Sequence, residues 1–267
     1  LPLRMESDDQ TLVFERRSPF GILSVLEDKE GSRELLIDNR PLCMVPSEVS
    51  ASMGMSEWVV GDVPARVASQ FAPRPRMAII GLGCGVTLAA ALERLPVESL
   101  GVDMIEINSE MEEAQTHFRS YLPHDPDDPR VNMVLRDGFT HFSDLPADKV
   151  YDAVAIDVAW MSNMNATHLF SKEMYENVGL HMTNRAVLGV WSEETTPFSQ
   201  VSLILYRTLK SVFQEVRVDV SYGVVLFYAV KEYSPELIAA LPEQSAHLTM
   251  WVDQASREAP VNRLDDL

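Results

Sequence analysis

From Met77 onward, short and nearly continuous apolar runs alternate with segments of helical period. That alternation limits the chain to a parallel sheet covered by helices on both faces. The strands are expected in MAIIGLG, SLGVDMIEI, VNMVLRDG, YDAVAIDV and AVLGVWS, with two more in VRVDVSYGVVLFYAV. Helices are expected in TLAAALERL, in SEMEEAQTHF with Ser109 as its cap, in KEMYENVGLHM and around VSLILYRTLKSVF. Ahead of this lies a different pattern. TLVFER, GILSVLE and RELLIDNR are short β-type runs, and Asp38-Asn39 is a hairpin turn signal. Between the two, Met53, Trp58, Val59, Val63 and Val67 recur at helical spacing, with Gly61 and Pro64 expected to divide two helices. Ala72-Pro-Arg-Pro-Arg76 reads as a stiff linker. The expected organisation is an N-terminal β-unit at 1–46, connecting helices and linker at 47–76, and an α/β domain at 77–267 that ends in one or two helices and a polar tail.

Gly81, Gly83 and Gly85 fall where the first strand of that sheet turns into its helix. A glycine loop there lets the backbone approach a nucleotide, with a helix N-terminus behind it. The dinucleotide fingerprint wants its third glycine one place later, where Val86 stands. The G-x-G-x-G spacing instead suits an S-adenosylmethionine-type nucleoside, so a Rossmann-like fold with a mostly parallel seven-stranded sheet is expected. Three acids support this. Glu106 ends the next strand about 20 residues after the loop, where a carboxylate accepts both ribose hydroxyls. Asp137, followed by Gly138, ends the third strand and can receive an adenine amino group. Asp157 ends the fourth. Each alone is an ordinary strand-end acid. Together they converge on the crevice beyond the carboxyl ends of the strands.

Other classes are excluded on charge and composition. Twenty-two Lys and Arg against forty Asp and Glu give a net charge of −18, which repels a phosphate backbone, so no nucleic-acid partner is expected. Two cysteines, Cys43 and Cys84, are too few for a disulfide framework or a Cys-rich zinc site. No H-x-H, H-E-x-x-H, G-x-S-x-G or Walker pattern occurs, so no metal is expected. The start carries no signal-peptide core, and the most apolar run, Met77 to Leu92, is too short and glycine-broken to cross a membrane. A soluble cytoplasmic protein without a membrane partner is expected.

With these motifs in order, residues 12–230 resemble the spermidine synthase (polyamine aminopropyltransferase) family. YDAVAIDV followed by HLFSKEMY is similar to that family's YDVIIVDS…HLFTEEFY, and VNMVLRDG to its V-x-V-x-x-x-DG segment. A small β-unit ahead of the nucleotide fold is also that family's layout. The place two before the first loop glycine, acidic in ordinary methyltransferases, is Ile79 here, as in the synthase pattern.

The resemblance implies that Glu106 binds ribose, Asp137 binds adenine, and Asp157 orients and deprotonates the attacking amine. It implies an S-adenosylmethionine or decarboxylated S-adenosylmethionine donor, an amine acceptor and a homo-oligomer, the family being usually dimeric or tetrameric, with a dimer expected here. This chain departs from the family at marked places. The loop Asp of GGGDGG, which recognises the amine of the decarboxylated donor, is Cys84. The second member of the D-x-x-D pair that grips the acceptor is Trp160, which in that position would line the acceptor pocket. The gate segment, with Gln, Tyr and His in the family, falls by a loose alignment on Leu42, Ala51 and Ser52. Glu193 and Glu194 stand near a family glutamate that holds the distal amine. His168 is expected to be structural. The leading expectation is alkyl transfer of the aminopropyl type from a sulfonium to an amine. The alternatives are a methyltransferase on the same scaffold and a non-catalytic nucleoside-binding scaffold.

Overall fold

The computed structural model describes residues 9–159, 166–242 and 245–266. Four antiparallel strands, β1 (Gln10–Ser18), β2 (Gly21–Asp28), β3 (Arg33–Ile37) and β4 (Arg40–Val45), form a meander in sequence order. Asp38 and Asn39 both take positive φ in the β3–β4 turn, the conformation of a two-residue hairpin loop. A single turn, α1 (Val49–Ser52), leads into α2 (Ser56–Phe71).

The second sheet contains β5 (Arg76–Ile80), β6 (Gly101–Glu106), β7 (Val131–Leu135), β8 (Tyr151–Ile156), β9 (Met182–Trp191), β10 (Glu215–Ser221) and β11 (Val224–Val230). Their order is β10-β11-β9-β8-β5-β6-β7. The five strands from β9 to β7 pair in parallel, and β11 pairs antiparallel with both β9 and β10. The order reverses between β5 and β8, which opens a crevice at their carboxyl ends. The helices are α3 (Val86–Arg94), α4 (Glu110–Gln115), α5 (Gly138–Asp144), α6 (Lys172–Leu180), α7 (Gln200–Lys210), α8 (Pro235–Ala239) and α9 (Ser245–Ala255). Among the described residues no helix is long and apolar enough to cross a membrane.

Alternate side chains of each central strand enter opposite cores, the period of two that a strand imposes. Met77 and Ile79 pack with α3, α4 and the N-terminal β-unit, whereas Ala78 and Ile80 pack with α6 and α7. Leu23, Val25, Leu35 and Val45 of the β-unit share one buried cluster with Leu82, Cys84 and Val86. The small unit therefore lies over the glycine loop. Surface pairs pin it to the edge of the larger unit: Arg16 Nη2 donates to both oxygens of Glu113 (2.6 and 2.8 Å), and the Arg33 guanidinium stacks 5.0 Å from the Tyr121 ring.

One expectation is corrected and two others are refined. Gly61 and Pro64 do not divide the connecting segment, because one 16-residue helix runs through both. Proline removes the bond to the Val60 carbonyl, and that turn rests on β9. A Cβ on Gly189 would stand 2.9 Å from Pro64 Cγ and 3.1 Å from the Val60 oxygen. Ser109 stands at the N-cap of α4 as expected, but its side chain makes no capping bond; Asn108 Oδ1 accepts from the Glu110 N–H instead (3.2 Å). The two cysteines, too few for a framework, nevertheless form one disulfide, Cys43–Cys84, which ties β4 to the glycine loop.

Candidate active site

The loop Gly81–Gly85 leaves β5 at the crevice, and its three glycines have φ of +97°, +48° and +89°. This is backbone that L side chains rarely adopt. At Gly81 space also forbids a side chain, since a Cβ would sit 2.1 Å from the Asp157 carbonyl oxygen. That contact seats the loop against the end of β8 and sets Asp157 beside it.

Glu106, at the end of β6, is 7% exposed. Its Oε2 accepts from the Leu82 N–H (3.0 Å) and its Oε1 from the Asn108 N–H (2.8 Å). The carboxylate therefore shapes the glycine loop from beneath. Burial raises its pKa, and the backbone donors pull in the other direction without cancelling the shift.

Asp137 caps α5. Its Oδ1 accepts from the Thr140 N–H and hydroxyl (2.8 and 2.9 Å), and His168 Nε2 lies 2.9 Å from Oδ2. Burial pushes this carboxyl up, but His168 and Thr140 outweigh it and hold it at about 2. His168 thus has a structural part to play: it fixes the orientation of Asp137.

Asp157 follows β8 on the wall of the cavity and is half-buried. Burial, and then the charge of Glu57, push Asp157 up to about 7, against the pull of Thr87. Neither Glu57 nor Thr87 carries a local sequence signal. A Cβ on Gly61 would lie 2.3 Å from the Thr87 carbonyl oxygen, so α2 touches the first turn of α3. That approach delivers Glu57, one turn earlier, to the same place. Thr87 Oγ1 is 2.8 Å from the Glu57 carbonyl oxygen and 2.5 Å from Asp157 Oδ2. A hydroxyl has one proton to donate. Thr87 therefore donates to the Asp157 carboxylate or to the Glu57 carbonyl, the two acceptors that its hydroxyl reaches. The Glu57 carboxylate is held in turn, with Ser56 Oγ donating to its Oε2 (2.9 Å) and Trp191 Nε1 donating to Ser56 Oγ (2.9 Å).

The glycine loop and the carboxyl groups of Glu57, Glu106, Asp137 and Asp157 belong to residues that line one cavity of about 220 Å³. Gly81, Gly83, Cys84, Gly85, Glu106, Asp137, Gly138 and Asp157 are all on its wall. The β-unit supplies Phe20, Ile37, Leu42 and Cys43, which makes the roof apolar. The Cys43–Cys84 disulfide joins that roof to the loop and carries no charge. Trp160 lies outside the described residues, as do the side chains of Ala51 and Ser52. Glu193 and Glu194 follow β9 but are not among the described residues lining the cavity. Glu194 meets β11 instead, where its carbonyl accepts from the Val225 N–H (2.8 Å). Among the described residues no group of three or more His, Cys, Asp or Glu is placed to hold a metal ion.

Arranged in this way, the site offers the acids Glu106 and Asp137, an apolar roof, and on the same wall a carboxyl raised to about 7. Such a carboxyl can take a proton from an amine nucleophile.

The spermine/spermidine synthase domain model matches residues 65–234, more than half of the chain. A polyamine aminopropyltransferase of Saccharolobus solfataricus is 25% identical over 217 residues, covering 80% of this chain and 68% of that protein. Another from Methanocaldococcus jannaschii is 22% identical over 235 residues, covering 84% and 75%. A spermidine synthase solved in complex with the transition-state analogue AdoDATO superposes with a TM-score of 0.70 at 18% identity, covering 95% of this chain and 82% of that one. By the span of the domain match, this chain belongs to the spermine/spermidine synthase family.

Proposed function

We propose that this protein transfers an aminopropyl group from a decarboxylated S-adenosylmethionine-type sulfonium to an amine. The observation that carries the reading is Asp157, packed beside the glycine loop and held near pKa 7 on the wall of a cavity whose other acids suit a nucleoside. The relatives named as aminopropyltransferases support the same reaction.

On this reading Glu106 faces the ribose and Asp137 the adenine amino group. An ammonium has no lone pair with which to attack, so Asp157 accepts one of its protons. The free amine nitrogen then bonds to the methylene carbon on the sulfonium. The carbon–sulfur bond breaks, and its electron pair neutralises the sulfur. The thioether leaves without needing a proton. The apolar roof excludes water from the sulfonium, and the fixed carboxylates hold the partners in line.

One observation favours a second reading. Where the family's loop carries an aspartate, this chain has a neutral disulfide, which would not repel the carboxylate of intact S-adenosylmethionine. Methyl transfer is therefore the alternative, and one experiment separates the two. The protein is incubated with each sulfonium donor and a panel of amines, and products are weighed by mass spectrometry. Aminopropylated amine with the decarboxylated donor upholds the proposal, and methylated amine with the intact donor replaces it. If both donors bind and neither group is transferred, the non-catalytic scaffold takes over.

We also propose a homodimer, by analogy with the family alone. Light scattering that gives a monomer at micromolar concentration would refute it. The expected cytoplasmic site of action and the disulfide pull in opposite directions, because cytosolic thiols are kept reduced. Counting free thiols in protein extracted under alkylating conditions decides between them.

A further inference from the structure

The family resemblance asks for two carboxylates to grip the acceptor, yet the position of the second holds Trp160. The structure brings a different carboxylate to Asp157. Glu57 comes from α2, about a hundred residues earlier in sequence, and lines the same cavity. Thr87 joins the two segments, its hydroxyl being in contact with both the Glu57 carbonyl and Asp157 Oδ2. The Glu57 side chain does not swing freely, because Ser56 donates to it and Trp191 donates to Ser56. It also stands in the first turn of α2, where a helix favours negative charge.

We propose that Glu57 is the second carboxylate of the acceptor site and that it determines amine binding by holding the ammonium group beside Asp157. The proposal deepens the reading of the preceding subsection and rests on it for the identity of the reaction. Two carboxylates facing one largely apolar cavity repel each other, and a single cation between them relieves that repulsion. An ammonium has three N–H donors, enough to reach both carboxylates at once. The ring of Trp191, which also lines the cavity, gives the bound cation an aromatic wall. The class of acceptor is therefore an alkylamine that enters as its ammonium ion. It releases one proton to Asp157, while Glu57 keeps the nitrogen in place. After the carbon–nitrogen bond forms, the product leaves as a secondary ammonium. Glu57 is thus a specificity residue, and proton transfer remains with Asp157.

The test uses Glu57→Gln, which keeps the shape and still offers an oxygen to Ser56. Butylamine, putrescine and the uncharged butan-1-ol are titrated by calorimetry into wild type and variant, each with and without saturating methylthioadenosine. Loss of a charge-assisted contact should weaken both amines about 10–100-fold in the variant. Butan-1-ol and methylthioadenosine should bind equally to both proteins, the latter confirming that the variant is folded. Glu57→Asp should restore part of the amine affinity. In turnover, KM for the amine should rise with little change in kcat. Equal amine affinity in wild type and Glu57→Gln overturns the proposal, as does a wild type that binds neither amine in either state. If methylthioadenosine does not bind the wild type, the nucleoside reading falls. Glu57-dependent amine binding to the nucleoside-free protein would still uphold the role of Glu57.

Discussion

Replacing Cys43 and Cys84 together by alanine removes the bridge between the β-unit and the glycine loop without placing a polar group in the core, where Cys84 is 2% exposed. The bridge closes a loop with a sequence separation of 41. Chain entropy for a loop of that length corresponds to about 4 kcal/mol at room temperature. For a protein of this size each kcal/mol shifts Tm by about 2–4 °C, so the variant should melt about 8–16 °C below the oxidised wild type. Reductant should bring the wild type down toward the variant and leave the variant where it is. The same change frees the loop between Gly83 and Gly85, so methylthioadenosine affinity should also fall. The assay is thermal unfolding with and without a thiol reductant, alongside a thiol count on denatured protein. Two free thiols in unreduced wild type, or a variant that melts level with the oxidised wild type, would refute the reasoning.

Asp137→Ala removes a carboxylate proposed to meet adenine and should weaken methylthioadenosine about 10–100-fold in a calorimetric titration, the equivalent of losing one charge-assisted hydrogen bond; unchanged affinity would clear Asp137 of that role. Asp157→Asn should make stability less sensitive to pH. With a folded pKa raised from 3.8 to about 7, the folded wild type holds an extra proton between those values, and its stability falls as pH rises through that window. The variant should therefore melt with the wild type near pH 4 and above it at pH 8. Equal melting at both pH values would contradict the raised pKa. Gly81→Ala forces a Cβ onto the Asp157 carbonyl and should cost about 2–4 kcal/mol in denaturant unfolding. A variant as stable as wild type would show that the loop has room to move away from β8.

The parallel sheet was legible because strands buried on both faces have no choice but to be apolar throughout, as Met77–Ile80 and Ala153–Ile156 are. The meeting of Gly81, Glu106 and Asp137 on one cavity wall was legible for a related reason. Gly81, Glu106 and Asp137 stand at strand ends, and the topology carries all strand ends to one edge. The approach of Glu57 to Asp157 was not legible. Glu57 is a polar residue in the first turn of a helix, and nothing nearby in sequence distinguishes it from a solvated acid. Its place beside Asp157 depends on Gly61 letting α2 touch α3, a contact between segments far apart in the chain. Gly61 and Pro64 look like breakers until β9 presents Gly189 to the proline turn. The disulfide was hidden likewise, since two cysteines far apart carry no local signal of pairing. Their approach follows from the β-unit folding back over the loop.

The measurement that tests the account most directly is product formation by Asp157→Asn. The variant keeps the shape of the side chain but cannot take a proton from the amine. With the decarboxylated donor and the best acceptor found, its turnover should fall about 10²–10⁴-fold, while methylthioadenosine affinity stays at the wild-type value. A variant that transfers the aminopropyl group as fast as wild type would contradict the assignment of Asp157 as the base.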